Sequence, residues 1–87
     1  MNQEVNRGER AKQVLHNELY KEAFTALRAS LYDGFCHTKF KDSDERDEIW
    51  RKQQAVDFIE NYLQEVMETG EIARASLAQR AKKVVGL

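Results

Sequence analysis

Apolar residues recur at helical spacing in two places along the chain. Ile49, Val56, Ile59, Leu63 and Val66 are separated by 7, 3, 4 and 3 residues, the a/d spacing of a helix packed lengthwise against another helix. Tyr20, Phe24, Leu27, Leu31 and Phe35 follow one another at 4, 3, 4 and 4, again a single helical face. No run alternates with period two, so strands are not expected. The two stripes predict an antiparallel helical hairpin whose core is Phe24, Leu27, Leu31, Ile49, Val56, Ile59, Leu63 and Val66.

Boundary signals divide the chain further. Residues 1–5 are polar and read as disordered. Asn6, with Glu9 three positions on, has the form of a capping box for a short first helix ending near Leu15. Asn17 is a good N-cap, and Glu18 suits the positive end of the next helix, which runs to about Phe35. That helix also carries Ala23, Ala26, Ser30 and Gly34 on one edge, small enough for another helix to approach closely. Residues 37–42 read as the hairpin loop. Asp42 or Ser43 opens the third helix, and Asp44, Glu45, Asp47 and Glu48 crowd its first turns. Gly70 is placed where a C′ glycine would end or kink it, giving a helix about 38 Å long. Beyond it, Ile72, Ala73, Ala75, Leu77, Ala78, Ala81 and Val84 form a lightly apolar helical arm over residues 71–87. The fold expected is all-α and a single domain: short N-terminal helix, long antiparallel hairpin, C-terminal arm.

Composition sharpens this picture. An 87-residue chain buries only about 60% of its unfolded surface and commonly needs extra support. One cysteine, Cys36, excludes an internal disulfide, and no residue cluster has the spacing of a metal site. No cofactor is implied. Association with other copies remains, and a homo-oligomer is the expectation. No run reaches the roughly 18 apolar residues of a membrane span, and Met1 to Arg10 lacks the apolar core of a signal peptide. A cytoplasmic protein, or one assembled in the cytoplasm, fits these features.

The formal net charge of −1 hides a gradient. Residues 42–71 carry three basic and ten acidic side chains, whereas residues 72–87 carry Arg74, Arg80, Lys82, Lys83 and no acid. The simplest reading of the acidic stretch is the solvated face of a long helix. The basic cluster has three readings: a solvated tail, a pairing surface for an acidic protein or a neighbouring copy, and a non-specific contact for DNA phosphates. No aromatic residue is interleaved there for base stacking.

Little catalytic chemistry is encoded. Cys36 and His37 are adjacent, an arrangement that seldom brings thiol and imidazole into reach, and no orienting group follows. The carboxylate pairs Asp44/Glu48, Glu45/Glu48 and Glu68/Glu71 sit where helix-end charge explains them. The glycine in Arg7-Gly8-Glu9-Arg10 lacks phosphate-loop spacing. No enzyme is expected. Trp50 lies beside the main stripe and, with Phe58 and Tyr62, forms a second apolar edge and the best candidate protein interface. A different role for Trp50 is to cover the end of the hairpin core, against the first helix.

Arg7-Gly8-Glu9-Arg10-Ala11-Lys12 with Leu15 and Asn17, then Arg46 and Trp50, then Glu68-Thr69-Gly70-Glu71-Ile72-Ala73, resembles a family of small all-helical tailed-bacteriophage proteins of uncharacterised function. The resemblance covers roughly residues 6–75. The family pattern often has proline after the asparagine; Glu18 stands there in this chain, and both residues suit a first turn. The resemblance implies a phage origin and brings no catalytic residues.

Three functions follow as expectations. The first is a non-enzymatic protein of virion assembly or DNA packaging, oligomeric through its helices and in contact with a phage protein or DNA. The second is a small inhibitor that binds one host protein through its acidic helix. The third is a Rop-like RNA-binding hairpin, which the acidic third helix disfavours.

Overall fold

The computed structural model describes residues 2–84, with side chains described through Lys82. It contains three helices, α1 (Asn2–Leu15), α2 (Glu18–Cys36) and α3 (Ser43–Val84). The all-α expectation holds, and among the described residues there is no strand. No described helix is long and apolar enough to cross a membrane.

α3 is the backbone of the molecule. At about 1.5 Å per residue its 42 residues span some 63 Å, nearly the full 68 Å of a rod whose other dimensions are 23 and 18 Å. α1 and α2 run antiparallel to it in tandem. Val5 and Gly8 lie beside Met67, Gly70 and Arg74, Val14 lies by Tyr62 and Val66, and Tyr20 and Phe24 lie by Glu60. Further along, Arg28 reaches Asp57 and Gly34 approaches Ile49. From the loop end to Arg74, a cross-section therefore cuts two helices.

Local chemistry fixes the break between α1 and α2. Asn17 leaves helical geometry at φ −70°, ψ 129°, and its side-chain oxygen accepts the Tyr20 N–H at 2.9 Å, satisfying an otherwise unpaired donor of the first turn. At the other end, the His37 N–H donates to the Asp33 and Gly34 carbonyls, and the Thr38 hydroxyl donates to the Phe35 carbonyl at 2.7 Å. The loop is closed by the Lys39 N–H on the Asp42 carboxylate and by Arg46, which donates to the Phe40 carbonyl at 2.6 Å. The Asp42 carbonyl accepts from the Arg46 N–H, opening α3 one residue later.

Three expectations are corrected. Helix α1 begins at Asn2 rather than after Asn6, which lies exposed within it. Residues 2–5 gain packing on α3 that cap chemistry does not register: the Glu4 carbonyl and Gly8 both face Gly70. Met1 lies outside the described residues. Second, Gly70 does not end α3, which continues to Val84. A β-carbon at Gly70 would lie 2.7 Å from the Gly8 Cα and 2.9 Å from the Glu4 carbonyl oxygen; one at Gly8 would lie 2.8 Å from the Gly70 Cα. The two glycines let the helix backbones touch. Glycine costs about 1 kcal/mol in a helix, and here that cost is offset by a crossing no other residue permits. Ala11 and Ala73, each three residues further along, are buried beside it. The expected separate arm is thus the end of α3, covered by α1 as far as Arg74.

The third correction concerns the core. Leu31 and Val56 are buried, and Phe24, Ile49, Leu63 and Val66 are half-buried. Leu27 and Ile59 remain exposed. A seam between two helices is narrower than the full stripe, so the edge positions face water.

Candidate functional site

The loop end of the rod, where α2 lies on the first turns of α3, gathers aromatic residues without covering them. Leu31, Tyr32 and Phe35 of α2 and Ile49, Trp50 and Gln53 of α3 line a groove of about 380 Å³, closed at its inner end by Arg28. Leu31 and Ile49 form the floor. Trp50 is 62% exposed, Phe35 51% and Tyr32 72%. Helical spacing accounts for this. Leu31 and Phe35 are four residues apart and share a face, and Tyr32 stands one position to its outer side. Gly34 also faces α3, and a β-carbon there would stand 3.5 Å from the Ile49 Cδ1, an ordinary contact.

The charged wall of the groove is already paired. Arg28 Nη1 donates to Asp57 Oδ1 and Nη2 to Glu60 Oε2, both at 2.9 Å. These hydrogen bonds, with Asp57 first, hold the guanidinium pKa above its ordinary value. Gln53 Nε2 donates to the same Asp57 oxygen at 3.4 Å. Nearby, the Tyr20 ring packs on Phe24, centroids 4.4 Å apart. Its hydroxyl is out of water with no hydrogen-bond partner among the described residues. Burial, and then the Glu60 carboxylate, raises its pKa above 10.0.

At the rim, the Cys36 thiol is exposed and is hydrogen-bonded with the Tyr32 side chain. The His37 Nδ1–H donates to the Asp33 carbonyl at 2.7 Å. That bond, and then the Asp33 carboxylate, raises the imidazole pKa above 6.5. Phe40, at the tip of the loop, is 94% exposed, with the Arg46 guanidinium 5.9 Å from its ring centroid.

The other sequence candidates fall elsewhere. Trp50 is not joined by Phe58 and Tyr62, which stack on each other 6.2 Å apart and take no part in the groove. At about 100° per residue, Trp50 and Tyr62 point some 120° apart around α3. Trp50 also does not meet α1, which lies at the other end of the rod. Tyr62 instead receives the Arg7 guanidinium at 3.4 Å. The basic residues do not assemble into one face. Arg74 is held by Glu9 at 2.5 Å, and Arg80 and Lys82 are exposed on the last turns. Because α3 is continuous, helical rotation spreads positions 74, 80, 82 and 83 around its whole circumference. The side chain of Lys83 lies outside the described residues. Among the described residues, no group of three His, Cys, Asp or Glu side chains is placed to hold a metal ion.

Sequence reading missed Tyr32 and Arg28 as site residues. Their signal was position: each lies one step from a residue of the α2 stripe and turns toward α3. No protein-family model, curated protein or solved structure matches the chain.

Proposed function

We propose that this protein is a non-enzymatic phage protein that acts in virion assembly, docking on other protein through the groove between α2 and α3. The observation that carries the reading is the cluster of Tyr32, Phe35 and Trp50, left open around an apolar floor on a fastened hairpin. Aromatic side chains beside a concave apolar surface are the usual anchors of protein interfaces. The sequence resemblance supplies the phage setting.

Two geometric points favour protein over DNA as the partner. The basic residues of the C-terminal turns ring the helix instead of lining one side, and Arg74 is engaged by Glu9. The same logic weakens the reading as an acidic inhibitor: within residues 42–71, Asp57 and Glu60 are bound to Arg28 and Glu48 to Lys52.

Gene deletion with complementation tests the proposal. Deleting this gene from its phage is expected to leave unassembled or unfilled particles. Supplying the wild-type chain restores infectious particles, and supplying the Trp50→Ala/Phe35→Ala chain does not. Normal particle yield from the deletion phage would overturn the assembly role. A stoichiometric complex with one host protein, abolished by charge reversal at Asp44, Glu45, Asp47 and Glu48, would establish the inhibitor instead.

A further inference from the structure

The rod exposes far more surface than a chain of its mass does when it folds alone. A compact monomer of 10.2 kDa would expose about 5,300 Å²; this chain exposes 7103 Å². The surplus is about 1,800 Å². A standard protein interface takes about 800 Å² from each partner, and larger permanent ones take more. A second chain could therefore cover one side of the rod and leave each copy no more enclosed than an ordinary small domain. Layering points the same way. Helical domains are stabilised by packing one layer of helices on another, and here the rod holds no more than a single pair, with α3 running on past α1 beyond Arg74.

We infer that the partner on the α2/α3 groove is a second copy of this chain, the two hairpins packing groove to groove across a two-fold axis into a local four-helix bundle. The inference rests on the reading of that groove as the working surface. A two-fold interface needs a surface that complements itself. The groove offers this, because a protruding ring (Trp50) stands directly beside a concave apolar slot (Leu31, Phe35, Ile49) on the same side of the hairpin. Each Trp50 can enter the slot of the other copy. Burial there strands no charge, since Arg28 already holds both Asp57 and Glu60. The end of the hairpin that would pair, residues 28–53, carries six basic and six acidic side chains, so little net repulsion opposes pairing. Phe35, the last residue of the α2 stripe, agrees, being left exposed on the groove side of the seam. The competing side of the hairpin carries Leu27 and Ile59. Ile59 is nine residues from Trp50, about 180° around α3, so the two sides can be tested separately.

The experiment is light-scattering mass after size exclusion, on the full chain across a hundred-fold range of concentration. Wild type, Phe35→Asp, Trp50→Ala and Ile59→Asp are compared, with circular dichroism confirming that each variant is helical. The expected mass is twice that of the chain for wild type and Ile59→Asp. Phe35→Asp is expected at monomer mass, and Trp50→Ala is expected to weaken the dimer by about thirty-fold or more, the loss typical of an interface anchor. Wild type at monomer mass throughout would overturn the inference. So would a dimer that survives Phe35→Asp and Trp50→Ala but is lost with Ile59→Asp, which assigns the other side. Should a variant lose helicity, Tyr32→Lys at the exposed rim gives the same discrimination. Failure here is distinct from failure of the assembly role: a groove that binds another phage protein would leave wild type monomeric while Trp50→Ala/Phe35→Ala still failed in complementation.

Discussion

The two halves of the rod solve the same packing problem in opposite ways. In the α1/α3 half, Gly8, Ala11, Gly70 and Ala73 bring two backbones together, and the small residues are consumed in the seam. In the α2/α3 half, large side chains hold the helices apart. Leu31 and Val56 fill the seam, while Tyr32, Phe35 and Trp50 stay out in water. The first half is closed along its seam, although Tyr62 and Ile72 stay exposed beside it. The second gathers its exposed apolar side chains around one groove, the surface proposed above for docking. Residue size at the seam thus separates an end closed by backbone contact from an end that leaves a groove open.

The glycine crossing is the place to break this contrast hardest. Gly70→Val puts a branched side chain against the Gly8 Cα and the Glu4 carbonyl, both backbone atoms that cannot swing aside. Urea denaturation at fixed protein concentration is expected to show a loss of about 3 kcal/mol, with α1 released from α3. Next in size is Leu31→Ala, which removes the best-buried leucine of the other seam. Its expected cost is about 2 kcal/mol, at the low end for such changes because the groove is open to water on one side. An equal or larger loss than Gly70→Val would mean that the aromatic half, not the glycine half, anchors the fold.

Smaller changes sharpen the comparison. Tyr20→Phe removes a hydroxyl that has lost water without gaining a partner, so it is expected to raise stability by up to about 1 kcal/mol. A clear destabilisation would show that the hydroxyl is hydrogen-bonded in solution. Gly34→Ala meets only the flexible Ile49 Cδ1 at contact distance and restores helix propensity. A gain of about 0.5 kcal/mol is expected, opposite in sign to any side chain at Gly70. The smallest effect is electrostatic. The folded pKa of His37 lies above 6.5 because its Nδ1–H donates to the Asp33 carbonyl beside the Asp33 carboxylate. Its contribution to stability is present below the unfolded pKa and is lost as pH rises through the folded value. Proton NMR titration should give a midpoint above 6.5 that falls in Asp33→Asn; an unmoved midpoint would assign the shift to the carbonyl bond alone.

Much of this arrangement was legible in the sequence because it rests on neighbouring residues. Asn17 stops one helix and caps the next by contacts within three positions. The loop at 37–42 and the start of α3 follow from equally local chemistry. The Leu31 and Val56 seam follows from helical period. The glycine crossing was not legible. A lone Gly70 after Thr69 has the same local signature whether it ends a helix or admits another. Only Gly8, distant in sequence and adjacent in space, distinguishes the two. The groove was half legible for the same reason. Trp50 stood out as an anchor, but its neighbours were sought along α3, at Phe58 and Tyr62, whereas they come from α2. Leu27 and Ile59 were read into the core because helical period alone does not separate a residue in the seam from an apolar residue at its exposed edge.

Trp50 is the only tryptophan in the chain, so its fluorescence reports on the groove alone. The most direct measurement is its emission spectrum followed from high to low protein concentration. If the aromatic half is covered by a second copy, emission lies at short wavelength in concentrated solution and moves to that of water-exposed indole on dilution, with a midpoint matching the mass transition. A water-exposed spectrum at every concentration would contradict the account.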